Sequence, residues 1–173
     1  MSLNGVPKPV IILPPPMPPR SRARYLEAIA SLDVEHAPKY RARDLDGSGN
    51  QSTFCNLFLS DCTKLLGCPI PWKLATDQAG WLDSAAGLSS GWHEIVASGE
   101  ATAGAQAAIH ADIGYPTVAV WANHAGHGHV AIVCPAIPQG SGLHVAAAGA
   151  QNFQNAPISR SFGAIQPRFF THS

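Results

Sequence analysis

The spacing of apolar residues changes along the chain, from helical periods in the first part to strand-like runs in the last part. After Ser21, a residue type that favours helix N-caps, Tyr25, Ile29 and Leu32 recur at intervals of three and four residues. This pattern predicts a short amphipathic helix that covers one face of a core.

A second helix is predicted over the apolar run that starts at Phe54. The preceding stretch, residues 43–50, is rich in glycine and short polar side chains and therefore predicts a loop. Gly67 and the prolines that follow it end the helical pattern. Apolar residues recur at three, four and seven positions within the run, at Phe54, Leu57, Phe58, Leu65 and Leu66. Cys55 is therefore expected in the first turn of this helix.

The rest of the pattern predicts helices over residues 76–86 and 100–112, followed by strands. The strands are β-branched or apolar runs separated by clusters of Gly, Pro and Asn. They are expected at Thr117–Trp121, Gly128–Cys134, Leu143–Ala148 and Arg168–Thr171. Helices first and strands afterwards predict an α+β fold, in which the N-terminal helices, including the Cys55 helix, pack on an antiparallel β-sheet.

The composition predicts one domain and excludes some classes of partner. Of 173 residues, 46% are apolar, which is ordinary for a single globular domain. Residues 1–20 read as a proline-rich arm and residues 21–173 as the domain. Eleven basic and eleven acidic residues cancel, so we expect neither nucleic acid nor a membrane surface as partner. The sequence contains no apolar run of roughly twenty residues and no signal-peptide pattern.

The candidate chemistry is that of a cysteine hydrolase. A nucleophilic cysteine must become a thiolate, and the N–H groups of a helix start favour that anion, so the position of Cys55 suits a nucleophile. His129 opens an apolar strand, where a rigid backbone can direct its imidazole inward as the general base. The Cys55 main-chain N–H is expected to stabilise the oxyanion, with Gln51 or Ser52 as the second donor.

Three segments carry a resemblance to a known family: Phe54–Asp61, Gly128–Val133 and Gln151–Phe153. In order and spacing they resemble the signature segments of cysteine, histidine-dependent amidohydrolase/peptidase (CHAP) domains and their NlpC-type relatives, which are papain-like peptidoglycan hydrolases. The resemblance spans roughly residues 44 to 153. It implies a papain-like fold with Cys55 as the nucleophile and His129 as the base.

The resemblance also implies a third polar residue that orients the imidazole. CHAP domains commonly place a glutamate and, two residues later, an asparagine at the end of the next strand. Ala150 occupies the glutamate position here, and Asn152 matches the asparagine. Asn152 is therefore the expected third catalytic residue, because its side-chain carbonyl can accept a hydrogen bond from the ring. Gln151 and His144 are the alternatives, since NlpC-type enzymes accept different polar residues there.

The implied activity is cleavage of amide bonds in the peptide part of bacterial cell wall, through an acyl-enzyme and without a cofactor. Such an enzyme meets its polymer outside the cytosol, so the resemblance implies secretion or delivery to the periplasm or cell wall, either by a type VI secretion machine or by phage lysis. An effector of that kind would need an immunity protein as partner. The alternatives are a papain-like peptidase or transferase acting on another substrate, and a cell-wall-binding module that has lost turnover.

Two residue groups invite comparison with metal sites. His124, His127 and His129 have a spacing found in zinc sites, but no acidic or cysteine ligand lies beside them in the sequence, so no metal is expected there. Asp44 and Asp46 alternate with polar residues as in calcium loops, but the glutamate that closes such loops is missing. A plain turn is the preferred interpretation, with calcium as the alternative.

Three further cysteines, Cys62, Cys68 and Cys134, have no assigned chemistry. Buried free thiols that pack as small apolar groups are the preferred interpretation. A disulfide between Cys62 and Cys68 is the alternative.

Overall fold

The computed structural model of the chain describes residues 20–99, 102–136 and 142–173. The proline-rich arm predicted over residues 1–20 lies outside these residues except for Arg20. The helices are α1 (Arg22–Ser31), α2 (Cys55–Leu65), α3 (Ala75–Leu82), α4 (Ala85–Ser89), α5 (Ala103–Asp112) and α6 (Ile158–Phe162), with a 3₁₀ helix at Pro38–Tyr40. The strands are β1 (Trp92–Ile95), β2 (Thr117–Trp121), β3 (His129–Val133), β4 (His144–Ala147), β5 (Phe153–Pro157) and β6 (Arg168–His172). The prediction of a mixed α+β fold is confirmed.

The first two helices form where their local signals place them. The Ser21 hydroxyl caps α1 by accepting a hydrogen bond from the Arg24 N–H at 3.3 Å. Helix α2 begins at Cys55 and ends just before Gly67, whose φ of 75° is the left-handed conformation that glycine adopts readily. Both predicted helices are therefore confirmed, with Cys55 as the first residue of α2.

The single helix predicted over residues 76–86 is wrong in its length, because the structure contains two short helices there. Helix α3 ends at Leu82, and Ser84 then caps α4 by accepting a hydrogen bond from the Gly87 N–H at 3.3 Å. A serine side chain competes with the helix for main-chain donors, which explains the break.

The six strands form one sheet in the order β1-β6-β2-β3-β4-β5. Strands β2 to β5 are consecutive antiparallel neighbours, so the predicted meander is confirmed. Strand β6 lies inside the sheet, between β1 and β2, because β1 covers its outer edge. The pattern of apolar residues missed β1 and β5, and both are edge strands with polar side chains in their sequence.

One end of the sheet collects the residues of interest. Strands β2 and β4 end there, strands β3 and β5 begin there, and Trp121 of β2 pairs directly with His129 of β3. Helix α2 packs on β3, so that its first turn reaches the same end. No helix within the described ranges has the length and apolar character needed to cross a membrane.

All four cysteines are buried, and none is bonded to another. The preferred interpretation of Cys62, Cys68 and Cys134 as free thiols of the core is confirmed. The alternative of a Cys62–Cys68 disulfide is wrong.

Candidate active site

The loop before α2 fixes the position of Cys55. Arg43 and Ser52 form an antiparallel bridge with main-chain hydrogen bonds of 2.9 and 3.1 Å. The Arg43 guanidinium also lies over the Phe54 ring, 4.2 Å from its centroid. Phe54 is the N-cap residue and makes no side-chain capping hydrogen bond, so no capping side chain competes for the first main-chain donors of α2.

Cys55 is nearly buried, yet it lines a surface cavity. The residue is 4% exposed, and the cavity, called here the thiol cavity, has a volume of about 280 Å³. It is lined by Thr53, Cys55, Asn56, Leu74, Ala75, Thr76, Asp77, Asn123, His124, Gly126, His127 and Gly128. Cys55 therefore lies at the wall of this space.

The expectation that the helix start lowers the pKa of the thiol below its ordinary range is wrong. Burial raises the pKa of Cys55, and the nearby main-chain N–H groups of Val130, Asn56 and Cys55 itself oppose that rise without cancelling it. The resting thiol is therefore protonated at neutral pH. It is nevertheless the only one of the four cysteines whose pKa is lowered by main-chain N–H groups.

His129 is held from three sides. Its Nε2 atom is hydrogen-bonded to the Ser161 hydroxyl at 2.8 Å, and its ring packs edge-on against Phe162 with 4.9 Å between centroids. The Gly149 main chain lies close by, because a Cβ atom on that residue would be 3.7 Å from His129 Cε1. Burial lowers the pKa of His129 to about 4, so its imidazole is neutral at pH 7.

A second cavity, called here the imidazole cavity, lies beside His129 and has a volume of about 340 Å³. It is lined by Thr53, His129, Gly149, Ala150, Gln151, Phe153, Arg160 and Ser161. Thr53 lines this cavity as well as the thiol cavity, so the two spaces adjoin at that residue. In the sequence, only the position of Thr53 two residues before Cys55 indicates that Thr53 lies between the two cavities.

The structure brings the predicted nucleophile to the strand that carries the predicted base. The main-chain N–H of Val130, the residue that follows His129, lies near enough to the Cys55 sulfur to lower the pKa of the thiol. The thiol therefore lies against the first peptide unit of β3.

Asn152 does not contact the His129 ring in the way that the resemblance implies. Its side-chain oxygen accepts a hydrogen bond from the Gly149 N–H at 3.0 Å. Its side-chain nitrogen donates to the main-chain carbonyls of Val34 and Tyr40, at 2.9 and 3.1 Å. The amide is thus used to join the turn before β5 to the segment around the 3₁₀ helix, and the expected hydrogen bond to the ring is replaced by that of Ser161.

The two alternatives to Asn152 are also engaged elsewhere. Gln151 accepts a hydrogen bond from Arg160 at 3.1 Å, and His144 is hydrogen-bonded to Asn155 at 2.6 Å on the exposed side of the strand pair. The sequence does not indicate Ser161, because no periodic pattern predicts α6 and because Ser161 lies 32 positions from His129. The apolar residue Phe162, which buries α6 beside the ring, was the only local signal.

The loop between β2 and β3 closes one side of the thiol cavity. Thr76 Oγ1 lies 3.2 Å from both the main-chain N and the main-chain O of Asn123, which ties α3 to this loop. Gly128 then passes so close to α3 that a Cβ atom would lie 2.6 Å from the Trp121 carbonyl and 2.7 Å from Thr76 Oγ1. Only glycine fits there, so Gly128 determines where His129 enters the sheet.

The histidines compared with a zinc site face different spaces. His124 and His127 line the thiol cavity, whereas His129 lines the imidazole cavity. Within the described residues, no group of three His, Cys, Asp or Glu side chains converges on one point.

Asp44 forms a turn with its own loop. Its carboxylate accepts hydrogen bonds from the main-chain N–H groups of Asp46, Gly47 and Gly49, at 2.8 to 3.0 Å, and these bonds lower its pKa. The neighbouring carboxylate of Asp46 accepts a hydrogen bond from the Ser48 N–H at 3.0 Å. This arrangement is the plain turn that was the preferred interpretation.

The second oxyanion donor expected from Gln51 or Ser52 is not supplied by these contacts. The Ser52 N–H donates to the Arg43 carbonyl at 2.9 Å. Gln51 lines a separate cavity together with Glu35 and Asn152. Cys55 is the first residue of α2, and no side chain caps that end of the helix.

The chain was compared with models of protein families and with curated proteins. No family model matches it, and no curated protein matches it at a significant level.

Proposed function

We propose that this chain is a papain-like cysteine hydrolase that cleaves amide bonds in the peptide part of bacterial peptidoglycan. The observation that carries the proposal is the place of the Cys55 sulfur, against the Val130 N–H at the start of the strand that His129 opens. A thiol at a helix start and an imidazole at a strand start, beside a surface cavity, are the parts that acyl transfer by cysteine requires. The choice of peptidoglycan rests on the resemblance to CHAP and NlpC-type domains.

We assign the donor role in the hydrogen bond between His129 Nε2 and Ser161 Oγ to the ring, and this assignment determines which ring nitrogen acts as the base. When Nε2 carries the proton and donates it to the Ser161 hydroxyl oxygen, Nδ1 has a free lone pair. Nδ1 is the ring nitrogen nearer to its own main chain, and the Cys55 sulfur lies against that main chain at Val130. Nδ1 is therefore the atom that we assign as the acceptor of the thiol proton.

Attack and proton transfer occur together in this account. Burial raises the pKa of Cys55 and lowers the pKa of His129 to about 4, so both groups are neutral at rest. As the sulfur attacks the substrate carbonyl, the imidazole takes its proton, and the imidazolium then returns it to the leaving amine. Water hydrolyses the acyl-enzyme in a second step. The Cys55 N–H, left without a capping side chain to compete for it, donates to the oxyanion.

The proposed substrate lies outside the cytosol. We therefore propose action in the periplasm or cell wall after secretion or delivery, and an immunity protein as partner if the enzyme is an effector. These two statements rest on the resemblance alone.

Digestion of purified peptidoglycan sacculi tests the proposal, with released fragments identified by mass spectrometry. The chain should release peptides with newly formed amino termini, and Cys55→Ala should release none. Cys134→Ala is the matched control, since Cys134 is also buried but its thiol donates a hydrogen bond to the Gln154 carbonyl at 3.5 Å and has no main-chain N–H group that lowers its pKa. Binding of sacculi without release would favour the inactive cell-wall module, and neither binding nor release would contradict the choice of substrate.

A further inference from the structure

The imidazole cavity contains a cationic side chain that the chemistry above does not use. Arg160 lies on α6, next to Ser161, and both residues line this cavity beside His129. Ser161 Oγ lies 2.8 Å from the His129 ring. Arg160 is the residue before Ser161, so its guanidinium belongs to the same turn of helix as the group that positions the base.

Neutral contacts orient the Arg160 guanidinium. Nη2 donates to the Gln151 side-chain oxygen at 3.1 Å, and the charged group lies over the Phe153 ring, 5.5 Å from its centroid. These contacts leave most of its five N–H donors available to a ligand. Planar donors held in this way match the two oxygens of a carboxylate.

No carboxylate neutralises Arg160 within the part of the chain that the structure describes. Two arginines are paired with carboxylates, Arg22 with Asp112 at 2.8 Å and Arg168 with two carboxylates at 2.6 and 2.7 Å. Arg160 differs from the other arginines that lack such a partner among the described residues, because it lines the cavity beside His129. Arg160 therefore brings a positive charge to the imidazole cavity that a bound anion would compensate.

The charges differ between the two adjoining cavities. The thiol cavity is lined by Asp77 and, among its lining residues, by no lysine or arginine. The imidazole cavity is lined by Arg160 and, among its lining residues, by no aspartate or glutamate. A substrate that spans both cavities is thus oriented with its anionic part beside His129.

The proposed role of His129 identifies the part of the substrate that carries the anionic group. The imidazole protonates the leaving amine, so the leaving residue must lie on the side of the ring. We propose that Arg160 binds a free carboxylate on the residue that supplies the leaving amine, and that the enzyme therefore selects amide bonds formed by an α-amino acid whose own carboxyl group is not amidated. This specificity rests on the proposed function.

Two probes that differ in one group test this directly: N-acetyl-L-alanyl-D-glutamate γ-methylamide with a free α-carboxylate, and the same compound with an α-carboxamide. Binding is measured by calorimetry on Cys55→Ala, which keeps the cavity and cannot cleave. A hydrogen bond to a charged group contributes enough to predict a preference of about tenfold to a hundredfold for the carboxylate. Cys55→Ala combined with Arg160→Gln should bind both probes alike, whereas the control that combines it with Arg24→Gln, an exposed arginine of α1, should keep the preference.

Equal binding of the two probes to Cys55→Ala, no binding of either, or a preference that survives Arg160→Gln would each overturn the inference. Failure of this inference can be distinguished from failure of the proposed function. If sacculi are not cleaved but the Arg160-dependent preference is found, the carboxylate site stands and the peptidoglycan hydrolase does not. If sacculi are cleaved and the preference is missing, the peptidoglycan hydrolase stands and the carboxylate site does not.

Discussion

The two ends of helix α2 each bury a cysteine, and their surroundings differ. Cys55, at the first position, lies against main-chain N–H groups and lines a cavity. Cys62, two turns later, is fully buried beside Tyr25, Cys68 and Cys134, and burial among these groups raises its pKa well above the ordinary value. The comparison teaches that burial of a thiol says little about function, whereas polar main-chain groups directed at the sulfur and an adjoining cavity are the features that matter.

The largest expected effect on activity comes from replacing Cys55 by serine, with the same replacement at Cys62 as the comparison. Cys55→Ser should lower the release of peptide from sacculi by at least about a thousandfold, because a serine hydroxyl is a far weaker nucleophile without a stronger base. Its free energy of unfolding should change little, since the same N–H groups can donate to the hydroxyl. Cys62→Ser should leave the activity within about twofold and lower the free energy of unfolding by about 2 kcal/mol, because it places a hydroxyl in the core. Activity assays and urea unfolding measure the two effects. Loss of activity in Cys62→Ser with normal activity in Cys55→Ser would contradict the assignment of Cys55 as the nucleophile.

The pH dependence of stability extends the comparison to the base. Folding lowers the pKa of His129 from 6.5 to about 4, so between these two pH values the unfolded chain binds more protons than the folded one. Stability should therefore fall as the pH drops from 6.5 to 4, by roughly 3 kcal/mol from this group. His129→Gln should abolish that part of the loss, and His93→Gln, an exposed histidine of β1, should not. Urea unfolding at several pH values measures the difference, and an unchanged slope in His129→Gln would count against the buried neutral imidazole.

A pair of glycines tests how the strand of the base is positioned. Gly128→Ala should lower the free energy of unfolding by about 2 kcal/mol and reduce activity, because its Cβ atom would meet the Trp121 carbonyl at 2.6 Å. Gly80→Ala, in α3, has nothing within 4 Å of the added atom and should raise stability by about 0.5 to 1 kcal/mol. Thermal unfolding of both variants separates a local clash from a general effect of added side chains.

The smallest expected effect on activity distinguishes Ser161, which is hydrogen-bonded to the His129 ring, from Asn152, which the resemblance implied as its partner. Ser161→Ala should reduce the turnover rate about tenfold and leave KM nearly unchanged, because it removes the partner that fixes the tautomer of His129. Ser159→Ala, an exposed serine on the same helix, is the control. Asn152→Ala should act on stability, by about 1 to 3 kcal/mol, since its amide joins distant main-chain groups. A turnover defect confined to Asn152→Ala would restore the original assignment.

The sequence carried enough local information to predict the α+β fold and the places of two residues of the site. Cys55 follows a loop and opens a helical period, and His129 opens an apolar run, so both lie where short-range rules apply. Strand β5 and helix α6 have no such periodicity, and the contact of Ser161 with His129 depends on how α6 packs against β4 and β5. The raised pKa of Cys55 cannot be predicted for a related reason, because the sequence shows the helix start but not the depth of burial.

Alkylation of Cys55 by iodoacetamide, followed by mass spectrometry across pH 5 to 9, tests the pairing of Cys55 and His129 most directly. The account predicts that Cys55 is labelled before Cys62, Cys68 and Cys134, and that His129→Gln slows labelling at Cys55 at least about tenfold while leaving the other three unchanged. Labelling of Cys55 that is no faster than that of the core thiols, or that proceeds equally well without the imidazole, would contradict it.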